Sequence, residues 1–127
     1  MGETEEMAMG ARAVAKFIRM SPRKVRLVVD QIRGVPVNEA YALLQFSKKA
    51  AAVPVEKTLR SAVANAQYRG QGEGEVVDAD ELVVREAYVN EGPALRRFKA
   101  AAMGRAAPIR KRTSHITVVV DTRGRPA

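Results

Sequence analysis

The segment from Pro93 to Arg112 carries a high density of positive charge. Its basic residues are Arg96, Arg97, Lys99, Arg105, Arg110, Lys111 and Arg112, and it contains neither an acidic residue nor an apolar run long enough to build a core. Because like charges repel and little surface can be buried to offset the ordering entropy, such a segment is not stable alone. A polyanion would supply the missing half of the interaction, so the pattern indicates polyanion binding.

A second group of cations surrounds the predicted start of a helix. Ser21 is a favourable N-cap, and Pro22 is tolerated at the first helical position. Arg23 and Lys24 then fall in the first turn, where cations oppose the helix macrodipole by about 0.3–1 kcal/mol each. A nearby phosphate would offset that cost through both side chains and the free backbone N–H groups. The charge pattern extends this patch to Arg19, Arg26 and Arg33; the alternative is a solvated basic face without a ligand.

His115 is the single histidine of the chain, and its neighbours raise the question of hydrolysis. Ser114 and Asp121 would complete a Ser-His-Asp set. However, adjacent side chains on a strand point to opposite faces, so Ser114 and His115 are poorly placed to share a site. We therefore expect no enzyme activity and no metal site, and we expect His115 to be structural or to contact RNA. The rival hypothesis is a small hydrolase centred on His115. A catalytic turnover that His115→Ala abolishes would support it.

The elements that must position these residues can be predicted from periodicity. Alternation predicts a strand over Ala11–Arg19, with Val14 and Ile18 on one face and Phe17 on the other. Three helices follow, each marked by an apolar stripe. The stripes are Val25, Val28, Val29 and Ile32; then Val37, Ala40, Tyr41 and Leu44; then Val55, Leu59, Ala62, Val63 and Ala66. Gly34 ends the first helix, and the third ends near 68–70. Pro54 marks the start of that third helix or kinks one that begins near Ser47.

Two strand-like runs, Leu82–Val89 and His115–Val120, bracket the basic segment. The connection is long for a compact domain, and about ten residues of extended chain reach about 30 Å. We predict a protruding β-hairpin over about 88–116 with its tip near 100–104; the alternative is a disordered, solvated loop. The predicted fold class is α+β, with a small antiparallel sheet packed with three helices and a long basic hairpin.

Composition narrows the function. The chain has 127 residues and a net charge of +8, which favour one domain and an anionic partner. We predict an acidic tail at 1–9, a single domain at 10–121 and a tail at 122–127. The apolar runs are far shorter than the roughly 20 residues that span a membrane, and the acidic start argues against a signal peptide. The absence of cysteine excludes disulfides and thiolate metal sites and is compatible with a reducing cytoplasm.

The small number of aromatic residues in the basic segment indicates how it would bind an anionic partner. Phe98 is its single aromatic residue, so base stacking is not expected to be the main mode of binding. Neutralisation of phosphates and recognition of the shape of folded RNA fit the composition better. A free-standing RNA or DNA chaperone would use the same charges.

Four pieces of the chain occur in a specific order and spacing: SPRKVRLVVDQIRG at 21–34, SAVANA at 61–66, VNEGPALRR at 89–97 and GRAAPIRKRTSHITVVV at 104–120. Over about residues 10–121 they resemble the bacterial form of large-subunit ribosomal protein twenty-two. The resemblance implies a non-enzymatic protein without a cofactor, which binds and organises 23S rRNA in the cytoplasm during subunit assembly. It also implies a surface domain whose hairpin lines the exit tunnel. Neighbouring large-subunit proteins and the nascent polypeptide are then partners, with no membrane contact and no homo-oligomer.

Matched positions assign expected roles to residues. The resemblance implies that the rRNA-binding residues are Ser21, Arg23, Lys24, Arg26, Arg105, Arg110, Lys111, Arg112, Thr113, Ser114 and His115. The charge pattern adds Arg19, Arg33 and Lys99 to this set. The implied tunnel residues are Arg96, Arg97, Ala100, Ala101, Ala102, Met103 and Gly104. The chain departs from the family at the tip, where the family usually has Pro-Arg-Ala and a basic residue before Gly-Arg-Ala. Ala100–Met103 stand there instead, so the tip has lost charge and a rigidifying proline.

Overall fold

A computed structural model describes residues 11–72, 74, 76–93, 95–100 and 106–122, with the backbone alone described in 95–100 and 106–111. The elements in chain order are β1 Ala11–Ile18, α1 Pro22–Ile32, α2 Val37–Phe46, α3 Ala52–Gly72, a short 3-10 helix Ala79–Glu81, β2 Leu82–Glu91, β3 Leu95–Ala100, β4 Ala106–Lys111 and β5 Ser114–Thr122. The predicted tail at 1–9 and residues 123–127 of the other tail lie outside the described residues. The predicted domain limits stay a prediction.

The main sheet is antiparallel and has three strands in the order β1-β5-β2. The central strand β5 pairs Val120 with Ala11 on one side and Thr122 with Leu82 on the other. The connection between α1 and α2 covers part of the outer edge of β2, because Gly34 N–H donates to the Val84 carbonyl at 2.8 Å and Val84 N–H donates to the Val35 carbonyl at 2.9 Å. The described residues thus confirm the α+β class, with a small antiparallel sheet and three helices.

Helix α1 forms where its local signals predict it. Ser21 is its N-cap and Pro22 its first residue, a position where the missing N–H costs nothing. The predicted stripe of Val25, Val28, Val29 and Ile32 is fully buried. Gly34 follows with φ +80°, a conformation that glycine adopts without a steric penalty.

Helices α2 and α3 also bury their predicted stripes, with Tyr41 half-buried and the remaining members buried. Helix α3 begins at Ala52, so the alternative start near Ser47 is wrong. Pro54 lies in its first turn, where the backbone N–H groups have no intrahelical acceptor and proline is tolerated. The helix continues to Gly72, two residues beyond the predicted end.

The prediction that Val14 and Ile18 share one face of β1 is wrong, whereas Phe17 faces away from Ile18 as predicted. Val14 is 40% exposed, whereas Ala13 is buried and Ile18 packs against the core. The pairing with β5 is irregular between Ala15 and Ile18, and Phe17 has φ +58°. A bulge inserts an extra residue and reverses the alternation beyond it. Ile18 therefore returns to the core side that Ala13 occupies, which strict alternation over the whole strand could not predict.

Candidate nucleic-acid interface

An open groove of about 870 Å³ lies at the start of α1, beside the loop before α3 and the end of the hairpin. Its lining residues are Arg19, Met20, Ser21, Lys24, Leu27, Lys49, Ala50, Ala51 and Arg112. Four of these are cationic and none is acidic, while the other side chains are apolar apart from Ser21. We call this site the basic groove. It combines positive charge with small alanine side chains that allow a ligand to approach the backbone.

The first wall of the basic groove is fixed by hydrogen bonds at the end of β1. The hydroxyl of the buried Ser114 donates to the Met20 carbonyl at 2.7 Å, which ties the turn after β1 to the central strand. At the following N-cap, the hydroxyl of Ser21 accepts from Lys24 N–H at 3.4 Å. These contacts hold the backbone between Arg19 and Lys24 while both cationic side chains remain exposed.

The second wall precedes α3 and includes Lys49, which sequence reasoning missed. Lys49 N–H donates to the Ser47 hydroxyl at 3.3 Å, and the Lys49 carbonyl accepts from Ala52 N–H at 3.1 Å. The pair Lys48 and Lys49 precedes the apolar stripe of α3, just as Arg23 and Lys24 precede the apolar stripe of α1. The sequence leaves the start of α3 open between Ser47 and Pro54, so the position of Lys49 relative to the helix cannot be predicted from it. Helices α1 and α3 both begin beside the groove, so both macrodipoles add positive potential there.

Arg112 closes the basic groove from the side of the hairpin. Its guanidinium lies 3.9 Å from the Glu91 carboxylate, and the two side chains are 51% and 63% exposed. An ion pair of that length and exposure contributes little stability. Arg112 is therefore free to turn toward an anion at small cost.

The remaining predicted cations of α1 occupy different positions. Arg23 is exposed but does not line the basic groove. Arg26 donates from Nη2 to the Val89 carbonyl at 3.0 Å. Arg33 donates from Nε and Nη2 to the Ala87 carbonyl and pairs with Asp30 at 2.9 Å. Arg26 and Arg33 thus hold α1 against β2, a role that the charge pattern alone did not reveal.

The residues at the base of the hairpin are engaged inside the protein. Thr113 is buried, and its hydroxyl donates to the Pro93 carbonyl at 2.6 Å, while its own carbonyl accepts from Gly92 N–H at 3.0 Å. His115 is half-buried, and its Nδ1 accepts from Phe17 N–H at 3.1 Å. We call Gly92, Pro93, Thr113 and His115 the hairpin root. Its contacts fix the place where the hairpin leaves the sheet.

No relay forms among Ser114, His115 and Asp121, which the structure describes in full. Ser114 is bonded to Met20, and Asp121 pairs with Arg85 at 3.4 Å and accepts from Thr122 N–H at 2.8 Å. His115 and Asp121 stand six positions apart on β5, which corresponds to about 20 Å along a strand. This geometry cannot couple their proton transfers.

The hairpin itself is an antiparallel pair of β3 and β4, as predicted. Its register pairs Leu95 with Lys111, Arg96 with Arg110, Arg97 with Ile109, Phe98 with Pro108, Lys99 with Ala107 and Ala100 with Ala106. The predicted tip residues Ala101, Ala102, Met103 and Gly104, together with Arg105, lie outside the described residues. Among the helices that the structure describes, none has the length and apolarity needed to cross a membrane.

The fold and the basic groove define a small α+β protein with a cation-lined groove and a two-stranded basic arm. The chain matches the family model described as ribosomal protein L22p/L17e over residues 13–121, and it belongs to that family. Among its relatives is the large ribosomal subunit protein uL22 of Desulfitobacterium hafniense strain Y51, which is 58% identical over 110 residues, covering 87% of this chain and 92% of the relative. The protein of that name from Oceanobacillus iheyensis is 56% identical over 112 residues, covering 88% and 95%. That from Clostridium novyi is 53% identical over 115 residues, covering 91% and 99%.

Proposed function

We propose that the protein is a structural component of the large ribosomal subunit that binds and organises 23S rRNA. The relatives carry the name of a large-subunit protein and align with nearly all of their own length. The observation that carries RNA binding is the basic groove, where four cations and no acidic side chain among the described residues line one surface. The activity proposed is binding, and it requires neither a cofactor nor a metal.

The groove suits an RNA backbone for electrostatic and steric reasons. Arg19 and Lys24 come from one wall, and Lys49 and Arg112 from the others, so phosphates along a curved backbone can each meet a cation. Release of condensed counterions then supplies much of the binding free energy. Because the lining includes the small side chains of Ala50 and Ala51, the backbone of the RNA can approach closely. Arg23, exposed beside the groove, extends the contact surface.

The hairpin supplies the second contact surface and, in this proposal, lines the polypeptide exit tunnel. Its register pairs the like-charged positions Arg96 and Arg110, and like charges at paired positions destabilise an antiparallel pair. Surrounding rRNA would remove that repulsion through contacts with Lys99, Arg105, Arg110 and Lys111. The arm would carry Arg96, Arg97 and the tip at 100–104 to the tunnel, with the nascent polypeptide and neighbouring subunit proteins as further partners.

The test is whether the protein stays on large subunits after a high-salt wash and where it lies in a density map of them. We expect retention, with the basic groove against rRNA and β3–β4 reaching the tunnel. Loss of the protein during the wash would favour the free-standing RNA chaperone. A retained protein whose arm lies away from the tunnel would refute the tunnel role and leave subunit membership intact.

A further inference from the structure

Phe17 has an unfavourable backbone conformation and an unfavourably exposed aromatic side chain. Its φ of +58° lies in the left-handed region, which side chains with a Cβ rarely adopt. Its side chain is 59% exposed, so the ring recovers only part of the free energy that burial of an aromatic side chain supplies. Strained residues that persist on a surface are often tied to function. The combination of strain and exposure therefore points to a role for the phenyl ring beyond packing.

The bulge explains the backbone conformation but not the choice of side chain. It returns Ile18 to the core, and the redirected Phe17 N–H finds an acceptor in Nδ1 of His115 at 3.1 Å. Glycine or asparagine would adopt the same φ with less strain and make the same backbone hydrogen bond. The ring is thus not required by the local fold.

The ring is held in one orientation while a flat surface stays accessible. The Phe17 and His115 rings meet edge to face, with centroids 5.0 Å apart and planes at 89°. In such a pair, either the histidine edge covers one phenyl face or the phenyl edge contacts the imidazole. Both arrangements leave at least one face of Phe17 uncovered by His115. The contact therefore orients the ring without occupying it.

The charges around Phe17 specify the kind of ligand. Lys16 and Arg19 are both exposed on either side of it in the chain, and Arg19 lines the basic groove. A flat apolar ring flanked by cations matches a nucleotide, whose planar base is flanked by phosphates. Carboxylate-rich partners would match the cations but would leave the ring face without a planar counterpart.

We propose that Phe17 stacks on one unpaired nucleobase of the rRNA, next to the strand of phosphates held in the basic groove. This inference rests on the proposed rRNA binding and adds a specific contact to it. His115 orients the ring, and Lys16 and Arg19 hold the phosphates on either side of the extruded base. The bulge in β1 places Phe17 in an exposed position two residues before Arg19, which lines the groove.

The test measures affinity of the full-length protein for large-subunit rRNA as a function of salt. Phe17→Ala should weaken binding by roughly 5- to 100-fold at every salt concentration, because stacking contributes that much per base. The salt slope should not change, since no phosphate contact is lost. Phe17→Tyr should retain affinity and Phe17→Leu should not. Phe46→Ala is the matched control, because Phe46 is 86% exposed on another element.

A glycine variant separates stacking from folding. Phe17→Gly relieves the positive φ, so the free protein should melt at the same temperature or higher while rRNA affinity falls as for Phe17→Ala. If affinity is unchanged in the alanine and glycine variants while Lys24→Ala still weakens binding, the stacking proposal is wrong and the proposed function stands. If the wild-type protein shows no salt-dependent rRNA binding, the proposed function itself fails. Equal retention by Phe17→Leu and Phe17→Tyr would also overturn stacking.

Discussion

The guanidinium of Arg33 donates two hydrogen bonds to the carbonyl oxygen of Ala87, from Nε at 3.0 Å and from Nη2 at 2.7 Å. About two helical turns earlier along α1, in the N-terminal direction, Arg26 donates to the carbonyl of Val89. Carbonyls two residues apart point to the same side of a strand, so α1 is pinned along one edge of β2. The hairpin root begins three residues after Val89, at Gly92. The helix that begins at the basic groove is therefore fastened to the strand from which the hairpin departs.

Arg33→Ala should reduce the free energy of unfolding of the domain by more than it reduces the free energy of RNA binding. Hydrogen bonds that involve a charged group are worth about 1.5–3 kcal/mol, but the Arg33 side chain is 47% exposed. Solvent screening therefore reduces the expected loss in the free energy of unfolding to about 1 kcal/mol. Urea denaturation measures it. Arg23→Ala on the same helix is the control and should leave stability unchanged or slightly raised, because a cation that opposes the macrodipole is removed. Unchanged stability in Arg33→Ala would contradict this role.

Local signals predicted α1 well, whereas contacts between distant segments could not be predicted. Ser21, Pro22 and the valine stripe lie within one stretch of chain and determine its cap, start and buried face without help from elsewhere. Lys49 joins the basic groove only because the loop before α3 folds back to the start of α1. The charge pattern predicts RNA contacts for Arg26 and Arg33, which stay a prediction. Their hydrogen bonds to β2 could not be predicted, because the acceptors are more than fifty residues away along the chain. The bulge at Phe17 reverses the alternation of side-chain faces along β1, whereas the prediction requires a strand with regular pairing throughout.

Lys49→Ala should weaken rRNA binding and reduce the magnitude of its salt slope by about one. The side chain lines the basic groove together with Lys24, and each is expected to neutralise one phosphate. Lys24→Ala should have the same effect. Lys48→Ala is a closely matched control, because Lys48 is the adjacent exposed lysine and does not line the groove. Equal effects of Lys48→Ala and Lys49→Ala would show that net charge matters and the groove does not.

We expect the domain to lose stability in alkaline solution because the phenol of Tyr41 is partly buried. Burial raises the pKa of Tyr41, an effect to which Glu56 adds and which the Arg60 guanidinium opposes. Arg60 lies over the ring, 5.9 Å from its centroid. Below pH about 10 the phenol is neutral in folded and unfolded protein alike, so its contribution is constant. Above that pH the unfolded phenol loses its proton first, and stability falls as the pH rises through the raised pKa.

Tyr41→Phe should therefore flatten the loss of stability as the pH rises above about 10. Urea denaturation at a series of pH values measures it for the wild type and the variant together. Tyr68→Phe is the control, because it changes an exposed side chain and should preserve the alkaline loss. A Tyr41→Phe curve parallel to that of the wild type over this range would exclude Tyr41 as the cause.

Gly92→Ala should disturb the hairpin root. A Cβ at this position would lie 2.5 Å from Oγ1 of Thr113 and 3.1 Å from Cε1 of His115. Neither neighbour can move freely, because the Thr113 hydroxyl is bonded to the Pro93 carbonyl and His115 is bonded to Phe17. Overpacking of this kind costs about 1–3 kcal/mol. Gly72→Ala is the control, because its Cβ would meet no atom within 4 Å, and it should be neutral or slightly stabilising.

A double-mutant cycle identifies Thr113 as the source of the clash. Thr113→Ala alone should cost about 1 kcal/mol for the lost hydrogen bond. In the Gly92→Ala background it removes the oxygen that the new methyl group meets, so the double variant should be more stable than Gly92→Ala alone. The coupling energy, measured by urea denaturation, should then be at least about 1 kcal/mol and favourable. Simple additivity would mean that the strain is relieved elsewhere, by movement of His115 or of the strand. In that case Gly92→Ala should also abolish the edge-to-face contact between His115 and Phe17, and with it the orientation of the ring beside the basic groove.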